Sequence, residues 1–294
     1  MERTFLKRIV PLPIRDGLVL GYERFRIRSQ DFGKISPILV YQMGKVGSST
    51  VVRSLEAAGL PNPIHHVHCL SDAGIKADGQ YYLNLGQRIP RNVRLAEILR
   101  RKMENQGAIA NYKIITLVRE QISRQISDFF ENVGVYWPHL LDERGRVKVD
   151  EAIKFLHDIF MNYDESADYA STWFDREIKA MFGIDVFSYA FSHDRGFTII
   201  REKNAHVLVM RLEDLDSCFA NAMSEFLGVD LGIALLKGNV GKEKMYAKEY
   251  ATVLKSIVLP ESVCARIYSS KYARHFYTET MRNELVRKWS TERN

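Results

Sequence analysis

Lys45, Gly47, Ser48, Ser49 and Thr50 crowd the end of "ILVYQMGKVGSST", residues 38–50. A lysine, a glycine and three hydroxyls in six positions are suited to holding an anion. The stretch starts as an apolar strand-like run, turns through glycines, and continues into "VVRSLEAAG", which reads as a helix ending at Gly59. A loop entering a helix aims backbone N–H groups at one point, and the helix dipole adds positive charge there. Gly44 and Gly47 allow close backbone approach, and Lys45 adds a mobile full charge. The triphosphate-binding spelling G-x-x-x-x-G-K-[ST] puts lysine after the second glycine. Here Lys45 precedes Gly47.

A second group lies in "IITLVREQISRQISDFF", residues 114–130. Arg119 follows a buried-type strand, at the end of a parallel sheet where ligands bind. Ser127 comes eight residues later, two turns into a helix. Guanidinium and hydroxyl together suit a second phosphate. The plainer alternative for Arg119 is a local ion pair with Glu120 or Asp128.

These residues need a frame. Residues 37–43 read as a first strand, 48–59 as a helix and 61–71 as a second strand. Residues 72–90 read as a loop, 91–107 as a helix, 112–120 as a strand and 121–134 as an amphipathic helix. Alternation of this kind predicts an α/β fold: a P-loop-type parallel sheet flanked by helices. The second half reads as helix-rich, with helices over 149–163, 169–183, 217–228 and 260–289 and two strands within 196–215. Residues 1–36 read as a basic, irregular lead-in arm, and 37–294 as a single domain.

The composition, 46% hydrophobic and 27% charged over 294 residues, is that of a globular protein with a sizeable core. No apolar run approaches the roughly 18 residues of a spanning helix, and charges and prolines interrupt the first 17 residues. The expected location is cytoplasmic. Cys69, Cys218 and Cys264 lack metal-ligand spacing and read as thiols of a reducing compartment. Of the net +6, residues 1–37 carry eight Lys/Arg against four Asp/Glu, and residues 242–294 carry eleven against six. Such basic ends suit a nucleotide, a polyanion or peripheral contact with an anionic membrane. No nucleic-acid recognition motif accompanies them, so nucleic acid is not an expected partner.

Taken together, the Lys45–Thr50 loop and the later Arg119…Ser127 pair resemble the sulfotransferases that use 3′-phosphoadenosine 5′-phosphosulfate (PAPS) and release 3′-phosphoadenosine 5′-phosphate (PAP). "REQISRQIS" is close to that family's R-[DE]-P-x-x-R-x-x-S form, with Gln121 where proline is usual. "VLVMRLEDL" (207–215) looks like the late strand and turn many of these enzymes carry. A closer resemblance is to bacterial capsular polysaccharide synthesis proteins, a sulfotransferase-like group. It rests on "YQMGKVGSST", "WFDREIKAMFGIDVF" (173–187) and "IYSSKYARHFYT" (267–278).

The resemblance implies that Lys45, Val46, Gly47, Ser48, Ser49 and Thr50 hold the 5′-phosphosulfate. It gives Arg119 and Ser127 the 3′-phosphate, and implies a hydroxyl-bearing acceptor, most readily a carbohydrate, with no metal. A late basic loop, here "KGNVGKEKMY" with Lys242 or Lys244, would close over the nucleotide. Sulfuryl transfer to a hydroxyl needs a general base. In "IHHVHCL", strand alternation puts His66 and His68 on one face and His65 on the other. His68 is the candidate base, with His66 as the alternate; Glu56 and Asp72 are weaker choices. Trp137, Trp173 and Trp289 could stack on sugar or adenine, with core packing the competing role. Two other classes stay open: a nucleotide kinase or triphosphatase, and a non-catalytic nucleotide- or polyanion-binding protein of the same fold.

Overall fold

The computed structural model describes residues 12–106, 111–228, 232, 234–236 and 246–291. Five strands form one sheet in the order β2-β1-β3-β5-β4. These are β1 (Ile38–Tyr41), β2 (Ile64–Val67), β3 (Tyr112–Val118), β4 (Phe197–Arg201) and β5 (Ala205–Arg211). β2, β1, β3 and β5 run parallel; β4 pairs antiparallel with β5 and makes the edge. All four residues of β1 are buried, as expected of a strand covered on both faces. Strand–helix alternation then carries α2 (Ser48–Ala57) between β1 and β2, and α3 (Asp72–Asn84) and α4 (Arg91–Gln106) between β2 and β3. The result is an α/β protein with a mostly parallel central sheet flanked by helices.

α5 (Gln121–Tyr136) follows β3 and presents Ile122, Ile126, Phe129, Phe130 and Val133 to a second, helical core. That core is completed by α6 (Val149–Met161), α9 (Ala247–Ser256), α10 (Glu261–Tyr268) and Trp289 of α12 (Glu279–Ser290). α7 (Tyr169–Phe174), α8 (Leu215–Leu227) and α11 (Lys271–Phe276) pack on the sheet's own core. Trp173 and Trp289 are fully buried, which is the packing role. All three cysteines are buried thiols. Among the described residues, no helix is long and apolar enough to cross a membrane.

Three expectations are corrected. The lead-in read as irregular contains α1 (Leu12–Ser29), whose Ile27, with nearby Phe32, is buried in the sheet's core. Residues 72–84, read as loop, are α3. The long helix read over 260–289 is three helices, because Ser270 and Thr278 cap new starts: their hydroxyls accept from Ala273 N–H at 3.2 Å and Met281 N–H at 3.3 Å.

α3 is masked in the sequence by Gly74, a poor helix former. The glycine has a packing reason. A Cβ there would lie 2.0 Å from Glu177 Oε1. Glu177 sits in a π-helical turn, Asp175–Lys179, directly after α7. It is 3% exposed. Its carboxylate accepts from the Tyr41 hydroxyl, Leu70 N–H (2.8 Å), Ser71 N–H (3.0 Å) and Ser71 Oγ (2.9 Å). One buried charge thereby joins the end of β1, the turn after β2 and the cap of α3. Breaking such a site leaves several buried donors unmet. Glu177→Ala should therefore lower the free energy of unfolding by about 3 kcal/mol in urea titrations, and Tyr41→Phe by about 1 kcal/mol.

Candidate functional site

The loop Gln42–Gly47 leaves β1 at the carboxyl end of the sheet. Two of its residues adopt left-handed backbone: Lys45 at φ 72° and Gly47 at φ 89°. Glycine takes this region freely; lysine does so at a cost of about 1 kcal/mol. Gly47 is also required sterically, since a Cβ there would lie 2.5 Å from Leu212 Cδ1. Gly44, by contrast, has ordinary backbone and open space around it, so its presence is not demanded by packing. Val46 is fully buried and anchors the loop. Gly47 is the N-cap of α2 without a side-chain cap, and no acidic residue occupies the first turn. Ser48 is buried, Ser49 exposed and Thr50 half-buried at that helix start. Gln42, fully buried at the loop's foot, has neither amide atom hydrogen-bonded.

Arg119 does not pair with Glu120 or Asp128. Glu120 instead caps α5, accepting from Ile122 N–H (3.0 Å) and Ser123 N–H (3.1 Å), and accepts from the Tyr268 hydroxyl at 2.7 Å. The Arg119 guanidinium turns to the first loop: Nη1 donates to the Lys45 carbonyl at 3.0 Å and Nη2 to the Tyr250 hydroxyl at 3.4 Å. The Tyr272 hydroxyl accepts from Arg119 N–H at 3.1 Å and donates to its carbonyl at 3.0 Å. The two anion-type motifs therefore share one hydrogen-bonded unit.

Lys45 is held rather than mobile. Its Nζ pairs with Glu131 at 2.9 Å, and the Tyr246 hydroxyl donates to the same carboxylate at 2.8 Å. The Glu131 side chain is 45% exposed, so this pair is worth under about 1 kcal/mol and yields readily to a bound anion. Ser127 lies one turn before Glu131 on α5 and shares its face; it is half-buried. Lys242 and Lys244 lie outside the described residues.

A family model described as "Putative capsular polysaccharide synthesis protein" matches residues 145–278. No curated protein matches the chain. The matched stretch contains Glu177, which fastens the turn after β2, and Tyr250, Tyr268 and Tyr272, which hold the end of β3. The Lys45 loop and Arg119 lie before it. The link to capsular polysaccharide synthesis thus rests on the supporting half of the site.

The histidines alternate as strand geometry requires. His65 is buried on one side, its Nε2 bonded to Gln30 Oε1 at 2.9 Å, and burial aided by the nearby Arg26 charge lowers its pKa to about 4. His66 and His68 share the other side with ring centroids 4.8 Å apart. His68 is half-buried. Its Nδ1 lies 3.0 Å from the Gln42 carbonyl, which can only accept, so the proton sits on Nδ1 and the Nε2 lone pair is available. Burial lowers the His68 pKa, with the Lys45 charge adding to the effect. Trp173 Nε1 donates to the His68 carbonyl at 3.1 Å, fixing the backbone.

The weaker base candidates point elsewhere. Asp72 is exposed and ion-paired with Arg100. Glu56 lines a cleft of about 340 Å³ beside the edge strand β2, together with residues of α1 and α4. Asp78 and Glu131 went unnoticed in the sequence. Asp78 stands on α3, in a stretch read as loop, and its charge acts on the Cys69 thiol and on His68. Glu131 is one polar residue among several on an amphipathic helix.

Two outcomes follow. Because both alanine and lysine are strained at φ 72° and glycine is not, Lys45→Gly should be about 1 kcal/mol more stable than Lys45→Ala in urea titrations. His68 should titrate below 6.5 by NMR. A lowered folded-state pKa means that the unfolded chain binds the proton first, so this group's contribution to stability is present above pH 6.5 and lost as pH falls through the folded pKa.

Proposed function

We propose that this chain is a PAPS-dependent sulfotransferase of the P-loop-type fold, acting on a carbohydrate hydroxyl in polysaccharide synthesis. The observation that carries the reading is the 3.0 Å bond from Arg119 Nη1 to the Lys45 carbonyl. It brings the Lys45 loop and Arg119, the two proposed anion grips, together beyond the ends of the neighbouring parallel strands β1 and β3. One triphosphate tail has use for one grip; a nucleotide phosphorylated at both its 5′ and 3′ positions has use for two. The uncapped start of α2, the left-handed backbone at Lys45 and Gly47, and the half-buried Arg119 guanidinium fit such a ligand.

In this reading the amides of residues 46–50 and the Ser48, Ser49 and Thr50 hydroxyls hold the 5′ end, and Arg119 with Ser127 holds the 3′-phosphate. PAPS supplies the sulfuryl group. Lys45 leaves Glu131 to neutralise charge growing at the departing phosphate, where a positioned cation is most effective. His68, neutral at pH 7 with its lone pair on Nε2, accepts the proton of the acceptor hydroxyl. The carboxylates nearest the ends of β3 and β5 are already engaged, Glu120 by backbone N–H groups and Tyr268, and Glu213 by Glu120 N–H at 2.9 Å and Tyr277 at 3.1 Å. This favours a sulfotransferase over a kinase or triphosphatase, which wants a carboxylate there for magnesium.

Calorimetry tests the nucleotide. Wild type should bind PAP well ahead of AMP and ATP, and Arg119→Ala should weaken PAP roughly 30-fold, or about 2 kcal/mol, while leaving AMP nearly unchanged. Tighter, magnesium-dependent ATP binding overturns the assignment. His68→Ala should abolish sulfuryl transfer from PAPS yet keep PAP affinity; surviving transfer means that another group is the base.

A further inference from the structure

α1 is apolar on two opposite sides, and the fold uses only one of them. Its inner side puts Ile27 into the sheet's core, with Val19 and Leu20 half-buried. Its outer side shows Leu18 64% exposed, Tyr22 65% and Phe25 71%. At about 100° per residue these three fall within about 60° of one another, opposite Ile27. Arginines border the stripe: Arg26 on one side, Arg28 and Arg24 on the other. Arg24 and Arg28 are exposed, and neither forms an ion pair among the described residues. Arg26 pairs with Glu23 at 2.6 Å, and beyond the helix Asp31 pairs with Lys34 at 3.9 Å. α1 as a whole holds four arginines against Asp16 and Glu23. α4, which packs against it, holds five Arg/Lys against two Glu, and its Lys102 donates to the Arg28 carbonyl at 3.0 Å. The surroundings of the stripe are therefore basic after every acid is counted.

An occupant must meet both features. A soluble polyanion would use the arginines and leave the stripe in water. A second copy of the chain would set arginine against arginine. It would also bury too little, since three such side chains offer roughly 400 Å² against the roughly 800 Å² per partner of a stable pair. The surface of an anionic bilayer takes apolar side chains into its head-group layer while flanking arginines reach the phosphates. We propose that the outer side of α1 is a docking surface for an anionic lipid bilayer. Leu18, Tyr22 and Phe25 enter the head-group layer, and Arg24, Arg26 and Arg28 bind lipid phosphates. This inference does not rest on the sulfotransferase reading.

The test sediments the full chain with vesicles of phosphatidylcholine alone or with about one third phosphatidylglycerol. Wild type should bind the anionic vesicles roughly tenfold or more tighter, and raising NaCl from about 0.1 to about 0.5 M should weaken that binding. The paired substitutions Tyr22→Ser with Phe25→Ser, and Arg24→Gln with Arg28→Gln, should each cost roughly tenfold or more. All four side chains are exposed, so both variants should melt with wild type. Arg144→Gln, in an exposed turn away from α1, should leave binding within about twofold. Phe25→Trp should shift its emission to the blue on anionic vesicles. Equal binding to both vesicles, binding to neither, binding that survives either pair, an equal loss in Arg144→Gln or an unshifted tryptophan overturns the surface. A dimer in the absence of lipid that Tyr22→Ser with Phe25→Ser dissolves assigns the stripe to a second copy instead.

Discussion

A single buried carboxylate, Glu177, decides where the loops at the sheet's carboxyl edge can go. It accepts hydrogen bonds from Tyr41 at the end of β1 and from Leu70 and Ser71 in the turn after β2. The anion loop and the histidine segment are consecutive extensions of those two strands. Trp173, four residues before Glu177, bonds the His68 carbonyl, and His68 bonds the Gln42 carbonyl. The candidate base is thus tied to the anion loop on one side and to the α7 segment on the other. Remove the carboxylate and both strand ends lose their common reference. Local compromises support this reading: a glycine inside a helix to admit Glu177, and a π-helical turn to aim it inward.

The second constraint is the end of β3. Arg119 is held from behind by Tyr272 and from the side by Tyr250, while Glu120 is locked into the cap of α5 and against Tyr268. These tyrosines come from the last third of the chain. So the residues that would grip a nucleotide come early, and those that stiffen them come late. The family match over 145–278 covers the stiffening residues. Lys45 accepts a left-handed conformation that a glycine would take without strain, which is the kind of local cost found where a side chain has work to do.

Much of this was legible from residue patterns. β1, β3 and β5 announced themselves as apolar runs, and alternation in β2 separated His65 from His66 and His68. Other features were hidden for identifiable reasons. α3 carries glycines and a polar surface, so its periodicity is faint, and Asp78 was lost with it. Ser270 and Thr278 act as caps only because the chain turns there; in sequence they sit inside an unbroken helical pattern. Nothing in the local pattern marks Glu177 as buried, since burial of a charge is a tertiary fact that no local pattern encodes. The contact between Arg119 and Lys45, across 74 residues, is likewise set by strand order.

The central claim is that the two grips hold the two ends of one bisphosphorylated nucleotide. A crystal structure of the chain soaked with PAP tests it most directly. The account predicts the 5′-phosphate on the amides of residues 46–50 and the 3′-phosphate on Arg119 and Ser127. A 3′-phosphate away from Arg119, or PAP lodged in the cleft beside β2, would contradict it.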